Sequence, residues 1–347
     1  TDLVHAGGNY MTDSYGNSAS SSLVYSENEI PDSEVNAIME AYYGIDTYHV
    51  VDDPNGEYIE HIDCWGKFLS PTKLLLREVP ESHSQYDEIE EVVEYFESQV
   101  NDFGEPWEMY RVYTPNNQPY TNSLILNEKV FVPIVSSSWD DEALAVYQEA
   151  LPGYEILPVT GDWLSTDAVH CRAKGIPDLE MLQIFHNPIN NQDTPLNEYR
   201  VVTIIDDLSE TGLVFEELKV FWKNNSMNDY ESILMNVCPE DIPDCYDAYI
   251  PGQSSDMEIS YYIHAADNSG RAETLPMAGY YAFYIAGFAS GDVNMDGTLN
   301  VFDIIAVVNH MLNTEPLTEQ QTDIADINQD GIIDIFDIVE LVDLILG

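Results

Sequence analysis

Apolar positions over residues 1–178 follow two periods in a fixed order, and that order repeats. Helical spacing marks three stretches: 31–43; 86–100, where Ile89, Val92, Val93, Phe96 and Val100 stand at i, i+3, i+4, i+7 and i+11; and 140–151, with Leu144, Val146, Tyr147 and Leu151. Each is followed by a short β-branched or aromatic run (Thr47–Val51, then 110–113 and 154–159). Each is preceded by a pair of strand-like runs, such as 123–126 and 130–135 around Asn127-Glu128-Lys129. The pattern predicts three rounds of strand, strand, helix, strand at a spacing of about 55 residues. A unit of that size cannot bury its own apolar face alone, so the copies are expected to stack.

Over residues 179–289 the helical period stops. Runs at 199–205, 217–222, 257–264 and 279–285 alternate with Asn, Asp, Pro and Gly clusters, which predicts a β-sandwich. The most apolar stretch, 280–289, is short enough to be a buried strand, and no run approaches the roughly 18 apolar residues needed to cross a bilayer. Cys238 and Cys245 lie close together in a polar loop of this region. They are either a small disulfide, if the protein is extracellular, or two free thiols, and spacing does not decide.

Charge narrows the function. With 63 Asp+Glu against 11 Lys+Arg the chain carries −52 at pH 7, which excludes nucleic acid as a partner because polyanion binding rests on clustered Lys and Arg. At 44% hydrophobic and 11% aromatic residues it is still too apolar for a disordered acidic tail. Such acidity accompanies salt adaptation and calcium binding alike, and composition does not separate them. The chain opens on Thr1 with no charged-then-apolar leader ahead of it, so a signal peptide or earlier segment is expected to have been removed or never to have belonged to it.

Residues 290–347 hold a second repeat. Asp292, Asn294, Asp296, Thr298, Asn300 and Asp303 stand at positions 1, 3, 5, 7, 9 and 12 of a calcium loop, with Gly297 at the sharp turn of position 6. Asp326, Asn328, Asp330, Ile332, Asp334 and Asp337 repeat the spacing 34 residues later, with Gly331 at position 6. Position 7 supplies only a backbone carbonyl, which is why Thr298 and Ile332 can both stand there. Each loop runs into an apolar helix, expected at 304–312 and 338–346, with no preceding helix of a complete EF-hand. Asp stands at position 12 where Glu is usual. The segment resembles a dockerin domain, a small α-helical module. The resemblance implies two structural calcium ions related by a pseudo-two-fold axis, and a cohesin-like scaffold partner. The pairs Val301-Phe302 and Ile335-Phe336 stand where dockerins often choose that partner, and they are more apolar than the common polar pairs.

The chemistry is expected in the first repeat. In Tyr58-Ile-Glu-His61-Ile-Asp63-Cys64-Trp65 an i, i+2 spacing on a strand would project His61 and Asp63 from one face, while Cys64 reads as core. Asn9, His61 with Asp63, Asn122 and Cys171 recur at the corresponding place of successive units, 52, 61 and 49 residues apart. Units set about a pseudo-symmetry axis would bring a carboxylate, a histidine and a cysteine to one centre. That set suits attack on a planar cationic carbon: carboxylates grip the cation, the thiolate adds and the histidine moves the proton. His5 and His264 have no partner visible in the sequence and receive no role.

Gly7-Gly-Asn-Tyr-Met-Thr-Asp13, His61-Ile-Asp-Cys-Trp-Gly-Lys-Phe-Leu69, Gln118-Pro-Tyr-Thr-Asn-Ser-Leu-Ile-Leu-Asn127 and Thr166-Asp-Ala-Val-His-Cys-Arg172 together resemble the secreted Porphyromonas-type peptidylarginine deiminases, over residues 1 to about 289. The resemblance implies an α/β fold, the pentein α/β-propeller, followed by an immunoglobulin-like all-β sandwich. It implies Cys171 as nucleophile, His61 as general acid/base, Asp63 as a guanidinium-binding carboxylate and Asn122 as a polar supporter, with Tyr58, Ile59 and Thr166 lining the substrate pocket. The reaction would hydrolyse the guanidinium of a peptide or protein arginine, in particular a C-terminal one, to citrulline and ammonia through a thiouronium at Cys171, with no cofactor in catalysis.

About three of the five ββαβ units of a pentein are visible. The second guanidinium-binding Asp and the arginines that read a substrate carboxylate match nothing in this chain. The chain is therefore expected to be the processed C-terminal product of a precursor, held to an N-terminal fragment that supplies the rest, secreted and tethered to a scaffold. The alternatives are a deiminase for agmatine or another small guanidine, and a non-catalytic calcium-binding scaffold component.

Overall fold

The computed structural model describes residues 3–176, 178–240, 242–287, 290–328 and 330–346. The expected boundary at Ala289, and the chain ends Thr1 and Gly347, lie outside the described residues. The chain divides into two compact units, Thr1–Leu179 with Pro276–Tyr280, and Glu180–Leu275 with Tyr281–Gly347.

In the first unit the repeat is built three times. Strands β1 (Met11–Thr12) and β2 (Asn17–Ser21) pair antiparallel, and the chain crosses through α1 (Leu23–Ser26) and α2 (Asp32–Tyr43) to lay β3 (Thr47–Val51) parallel to β2. The second round is β4 (Gly66–Ser70), β5 (Lys73–Glu78), α3 (Tyr86–Glu97) and β6 (Glu108–Tyr113). The third is β7 (Leu124–Leu126), β8 (Lys129–Ile134), α4 (Asp140–Ala150) and β9 (Glu155–Thr160). Each sheet thus has one antiparallel and one parallel pair, because a parallel return needs the crossover that a helix supplies. The hairpin between β7 and β8 closes on Asn127, whose φ of 53° is left-handed, a conformation Asn tolerates better than most side chains.

Helix α3 shows what the apolar stripe does and where it stops. Val92, Val93 and Phe96 bury against Trp65, Leu74, Leu76 and Trp107. At full burial such side chains each contribute about 1.5–3 kcal/mol. The helix ends at Glu97, three residues before the sequence expectation, and Val100 is 52% exposed. Asn101 takes over the backbone there: its side-chain oxygen accepts from the N–H groups of Phe103 and Glu105, a local turn that competes with another helical turn.

The second unit holds two antiparallel sheets over one core. One runs β10 (Leu182–His186), β11 (Glu198–Asp207), β15 (Cys245–Pro251), β14 (Asn236–Val237). The other runs β13 (Glu231–Leu234), β12 (Lys219–Asn224), β16 (Met257–Ala266), β17 (Ala272–Leu275), with β18 (Tyr281–Ile285) also on β16. Tyr199, Val201, Trp222, Tyr261 and Phe283 fill the space between them. The Cys238–Cys245 disulfide is formed. Its two residues are also joined by a 3.0 Å hydrogen bond from the Cys238 N–H to the Cys245 carbonyl.

The C-terminal segment folds as α5 (Val301–Met311), α6 (Glu319–Ala325) and α7 (Ile335–Leu346) around Val293, Val307, Ala325 and Leu341. Helices α5 and α7 each begin three residues earlier than the apolar pattern suggests, because the ninth residue of each loop caps the helix. Asn300 accepts from the Phe302 N–H, and the Asp303 carboxylate takes the Asn300 N–H, closing a capping box. A helix does precede the second loop, against expectation. Its sequence carries no apolar stripe, so periodicity missed it; a capping box from Thr318 to Gln321 and the burial of Ala325 hold it instead.

Candidate active site and calcium loops

Each round of the first unit is entered through a tight turn. The turn Gly7–Asn9 leads into β1 and Ile62–Cys64 into β4; Asn122, bonded back to the Pro119 carbonyl, leads into β7; and His170–Arg172 follows β9. This corrects the expectation of a strand across residues 58–65. Gly56 and Glu60 both have positive φ, which no extended strand accommodates, and the Cys64 and Trp65 N–H groups close onto the His61 and Ile62 carbonyls at 3.1 Å. His61 and Asp63 therefore do not share a strand face. Asp63 is 2% exposed inside the turn and His61 stands at its start, half-buried. Cys64 is core as expected, but in the turn, and burial drives its thiol pKa far up.

Asparagines stitch the turns together. Asn9 Oδ1 accepts from the N–H groups of Ser21 at 2.8 Å and Ile62 at 3.4 Å. Asn122 Oδ1 accepts from the N–H groups of His170 at 3.0 Å and Cys171 at 3.3 Å, and its own carbonyl also receives His170 N–H at 3.1 Å. The same side chain thus does the same task in two rounds of the repeat.

Held this way, the Cys171 sulfur lies 3.1 Å from Asn122 Nδ2, 3.5 Å from Asp63 Oδ2 and 3.8 Å from the Thr166 carbonyl oxygen. Partial burial first, and the Asp63 charge second, push the Cys171 thiol pKa up, while a backbone N–H and the Asn122 amide pull it down. Burial alone would raise the Asp63 carboxyl, but the hydrogen bond and charge of His170, and the charges of Lys67 and His61, hold it below its ordinary value. His170 Nδ1 sits 2.7 Å from Asp63 Oδ2.

The expected residues fall out differently. Asp63, Asn122 and Cys171 converge, and Thr166 adjoins them through its backbone. The His61 ring makes no hydrogen bond among the described residues. It packs on the Gly8 backbone, where an added Cβ would lie 2.5 Å from His61 Nδ1 and 3.1 Å from Asp63 Oδ2. Tyr58 is 89% exposed, and Ile59 packs against the core around Trp65. His170 went unassigned in the sequence although it precedes Cys171 in the same turn, because its partner lies 107 positions away. His5 lies close to His61 and approaches Ser20 Oγ at 3.4 Å, and His264 bonds the Glu217 carbonyl, so neither stands alone.

The family model for the Porphyromonas-type peptidyl-arginine deiminases matches residues 1–177, half of the chain. The chain belongs to this family. The dockerin type I model matches residues 290–346. Solved structures similar to this deiminase-family chain include a candidate arginine deiminase from Porphyromonas gingivalis at 19% identity (TM-score 0.45), covering 49% of this chain and 56% of that one. They also include agmatine deiminases of Campylobacter jejuni, at 16% identity (TM-score 0.43, 49% and 55% covered), and of Enterococcus faecalis, at 16% identity (TM-score 0.44, 49% and 57% covered). The chain spans about half the length of these relatives.

Dockerin type I domains typically bind calcium, and the chemistry of the loop donors suits such an ion, although no three His, Cys, Asp or Glu side chains among the described residues are gathered closely enough to hold a metal as they stand. The loop carboxylates Asp292, Asp303 and Asp337 are at most 1% exposed. The backbone winds around them: Asp292 accepts from the N–H groups of Asp296 and Gly297, and Asp326 likewise from Asp330 and Gly331. Gly297 and Gly331 turn with φ of 79° and 84°, which makes position 6 a glycine position. Asp292, Asn294, Asp296, the Thr298 carbonyl, Asn300 and Asp303 would hold one ion. Asp326, Asn328, Asp330, the Ile332 carbonyl, Asp334 and Asp337 would hold the other, hard oxygen donors throughout. The dockerin implies a cohesin partner and, with the disulfide, an extracellular cellulosome-type assembly. No helix among the described residues is long and apolar enough to cross a membrane.

Proposed function

We propose that the protein is a secreted peptidyl-arginine deiminase, tethered through its dockerin, that converts the guanidinium of a peptide arginine to citrulline and ammonia. The observation that carries this reading is the approach of the Cys171 sulfur to Asp63 at 3.5 Å, between turns 108 positions apart. A guanidinium nitrogen held by Asp63 would present its central carbon to that sulfur. Binding the cation also offsets the Asp63 charge that disfavours the thiolate, so substrate itself promotes loss of the Cys171 proton. The thiolate then adds to the guanidinium carbon and the C–N bond breaks. One nitrogen leaves as ammonia with a proton from the acid His61, and a thiouronium remains on Cys171. Water adds to that carbon and gives one proton to His61; the C–S bond breaks, the second water proton returns to the Cys171 sulfur, and citrulline is released.

Asn122 fixes the backbone and sulfur of Cys171, and Thr166 borders the same sulfur. Tyr58 and Ile59 would complete the pocket, with an arginine side chain covering the exposed Tyr58 ring. His170 shares Asp63 Oδ2 in the free protein and must yield or share that oxygen when the substrate binds. The second guanidinium carboxylate and the groups that would read a C-terminal carboxylate are supplied by units outside these residues. The two calcium ions shape the dockerin and take no part in the reaction.

The test is citrulline release from a peptide ending in arginine, beside free agmatine, with protein of verified chain composition and Cys171→Ala as control. Release from the peptide that vanishes in the control is expected. Release from agmatine alone would replace the reading with a small-guanidine deiminase. Release from neither, with those further units present, would leave a calcium-binding scaffold component.

A further inference from the structure

The chain has six lysines, and among the described residues Lys67 alone is buried, 9% exposed on the mostly buried strand β4 between Gly66 and Phe68. Burying an ammonium is costly unless it is paired or hydrogen-bonded. The other buried cation of this unit obeys that rule: Arg77 donates to Thr114 at 3.0 Å, to Asn117 at 2.7 Å, and to Asn55 and Gln85. The Lys67 ammonium makes no hydrogen bond or ion pair among the described residues. The opposite charges that face it are Asp63, four positions earlier in the preceding turn, and Cys171 across the site.

We propose that Lys67 is the internal counter-charge of this site: its ammonium keeps Asp63 ionised and favours the Cys171 thiolate, offsetting the carboxylate 3.5 Å from that sulfur. The proposal rests on the reading of Cys171 as the nucleophile. The Cys171 sulfur is bonded by Asn122, Asp63 and the Thr166 carbonyl and not by Lys67, so Lys67 is a positioning residue acting through charge. Burial lowers its pKa, and the charges of Asp63 and Cys171 raise it in return, a mutual effect. The other groups facing Cys171 are His170 and His61 beside Asp63, the buried thiol of Cys64, and Arg172, whose charge is taken up by Asp167 at 2.6 Å.

The experiment is the pH dependence of Cys171 alkylation by iodoacetamide in the full calcium-loaded chain, read by peptide mass spectrometry so that Cys64 is scored separately. Lys67→Met is expected to move the Cys171 profile about one unit upward, a roughly tenfold slower reaction at neutral pH. Asp63→Asn is expected to move it downward. Profiles of wild type and a folded Lys67→Met that coincide would overturn the proposal. If that variant does not fold, wild-type protein labelled with 13C at lysine Cε decides. One of the six lysine signals should titrate below the other five and fall further once Cys171 is alkylated, whereas six signals indifferent to alkylation overturn the assignment. Neither readout needs turnover, so a failure of the deiminase reading, in which no citrulline forms, remains distinct from a failure of this one.

Discussion

The calcium loops and the cysteine site are both made of acidic and amide side chains folded into tight turns, but they are assembled over different distances. Every donor of the first loop lies within Asp292 to Asp303, and its backbone N–H groups wrap its own carboxylates. The cysteine site takes Asp63, Asn122 and Cys171 from three turns, joined by hydrogen bonds that span 49 and 108 positions. A local site can be read as a spacing rule. A convergent one becomes readable only through the repeat that carries it, and its fine geometry depends on how the units stack. The two should also break differently: one by losing an ion, the other by losing a single close contact.

The sharpest break is at the sulfur. Cys171→Ala should lower citrulline formation at least about a thousandfold while calcium binding stays unchanged, because no nucleophile remains to add to the guanidinium carbon. Release assays and calorimetry on one preparation check both halves. Residual activity near wild type would remove Cys171 from the chemistry.

The converse break is at Asp303. It closes the capping box of α5 as well as the calcium loop, so Asp303→Ala should cost about 1 kcal/mol of helix capping. Calcium affinity at that loop should fall by at least the 10- to 100-fold that the loss of even an outer partner of a metal site costs. Cohesin capture should fall with it. The alkylation rate of Cys171 should not move, and if chelation with the dockerin deleted nonetheless abolished citrulline release, calcium would have to be given a place in the first unit.

A single close approach tests the convergent site more finely. An added Cβ at Gly8 would meet His61 Nδ1 at 2.5 Å and Asp63 Oδ2 at 3.1 Å. Gly8→Ala should therefore displace both groups, slowing turnover about tenfold or more, with a stability cost of about 1–3 kcal/mol from overpacking. Gly7→Ala, next to it in open space, is the matched control. Equal activity of the two variants would show that the packing of His61 on the Gly8 backbone is not used.

How much of this was legible in the sequence follows the same division. The three helices, the strand pairs around them and both calcium loops came from periodicity and spacing, because apolar stripes and oxygen ligands must recur at fixed offsets. Val100 and α6 departed from the pattern where side-chain hydrogen bonds, not apolar burial, decide the backbone: Asn101 ends one helix early and Thr318 starts one with no stripe. Asp63 and Cys171 were found together through the repeat, but the turn at 61–64 was read as a strand because alternation over so few residues cannot be told from a tight turn. The one signal in the sequence was Gly56; the positive φ of Glu60, an ordinary residue, is visible only in the structure. His170 could have been singled out by its place beside Cys171, though its bond to Asp63 could not.

The smallest effect compares the two units through their buried histidines. Burial lowers the pKa of His49 in the first unit to about 4, and of His186 in the second to about 4. A histidine with a depressed folded pKa binds its proton more readily when unfolded, so stability should be lost as pH falls from about 6.5 toward 4, on the order of 1–3 kcal/mol for each ring. The surroundings set which slope is steeper. His186 Nδ1 faces the Val202 carbonyl at 2.7 Å and Nε2 faces the Tyr261 hydroxyl at 2.8 Å, which already accepts from the Ile189 N–H. Charging that ring would turn the hydroxyl into an acceptor twice over and strand its own hydrogen in the core. His49 Nε2 faces Asn17 Oδ1 at 3.3 Å and Nδ1 faces the hydroxyl of Tyr95 at 3.0 Å, and the half-buried Tyr95 can redirect its hydrogen to water. Melting curves between pH 7 and 4 for His186→Gln and His49→Gln, each subtracted from wild type to remove the titration of the 63 carboxyl side chains, should show the larger relief of acid sensitivity in His186→Gln. The reverse order would mean that Tyr95 is locked in place and that the first unit, not the sandwich, is the acid-labile part of the chain.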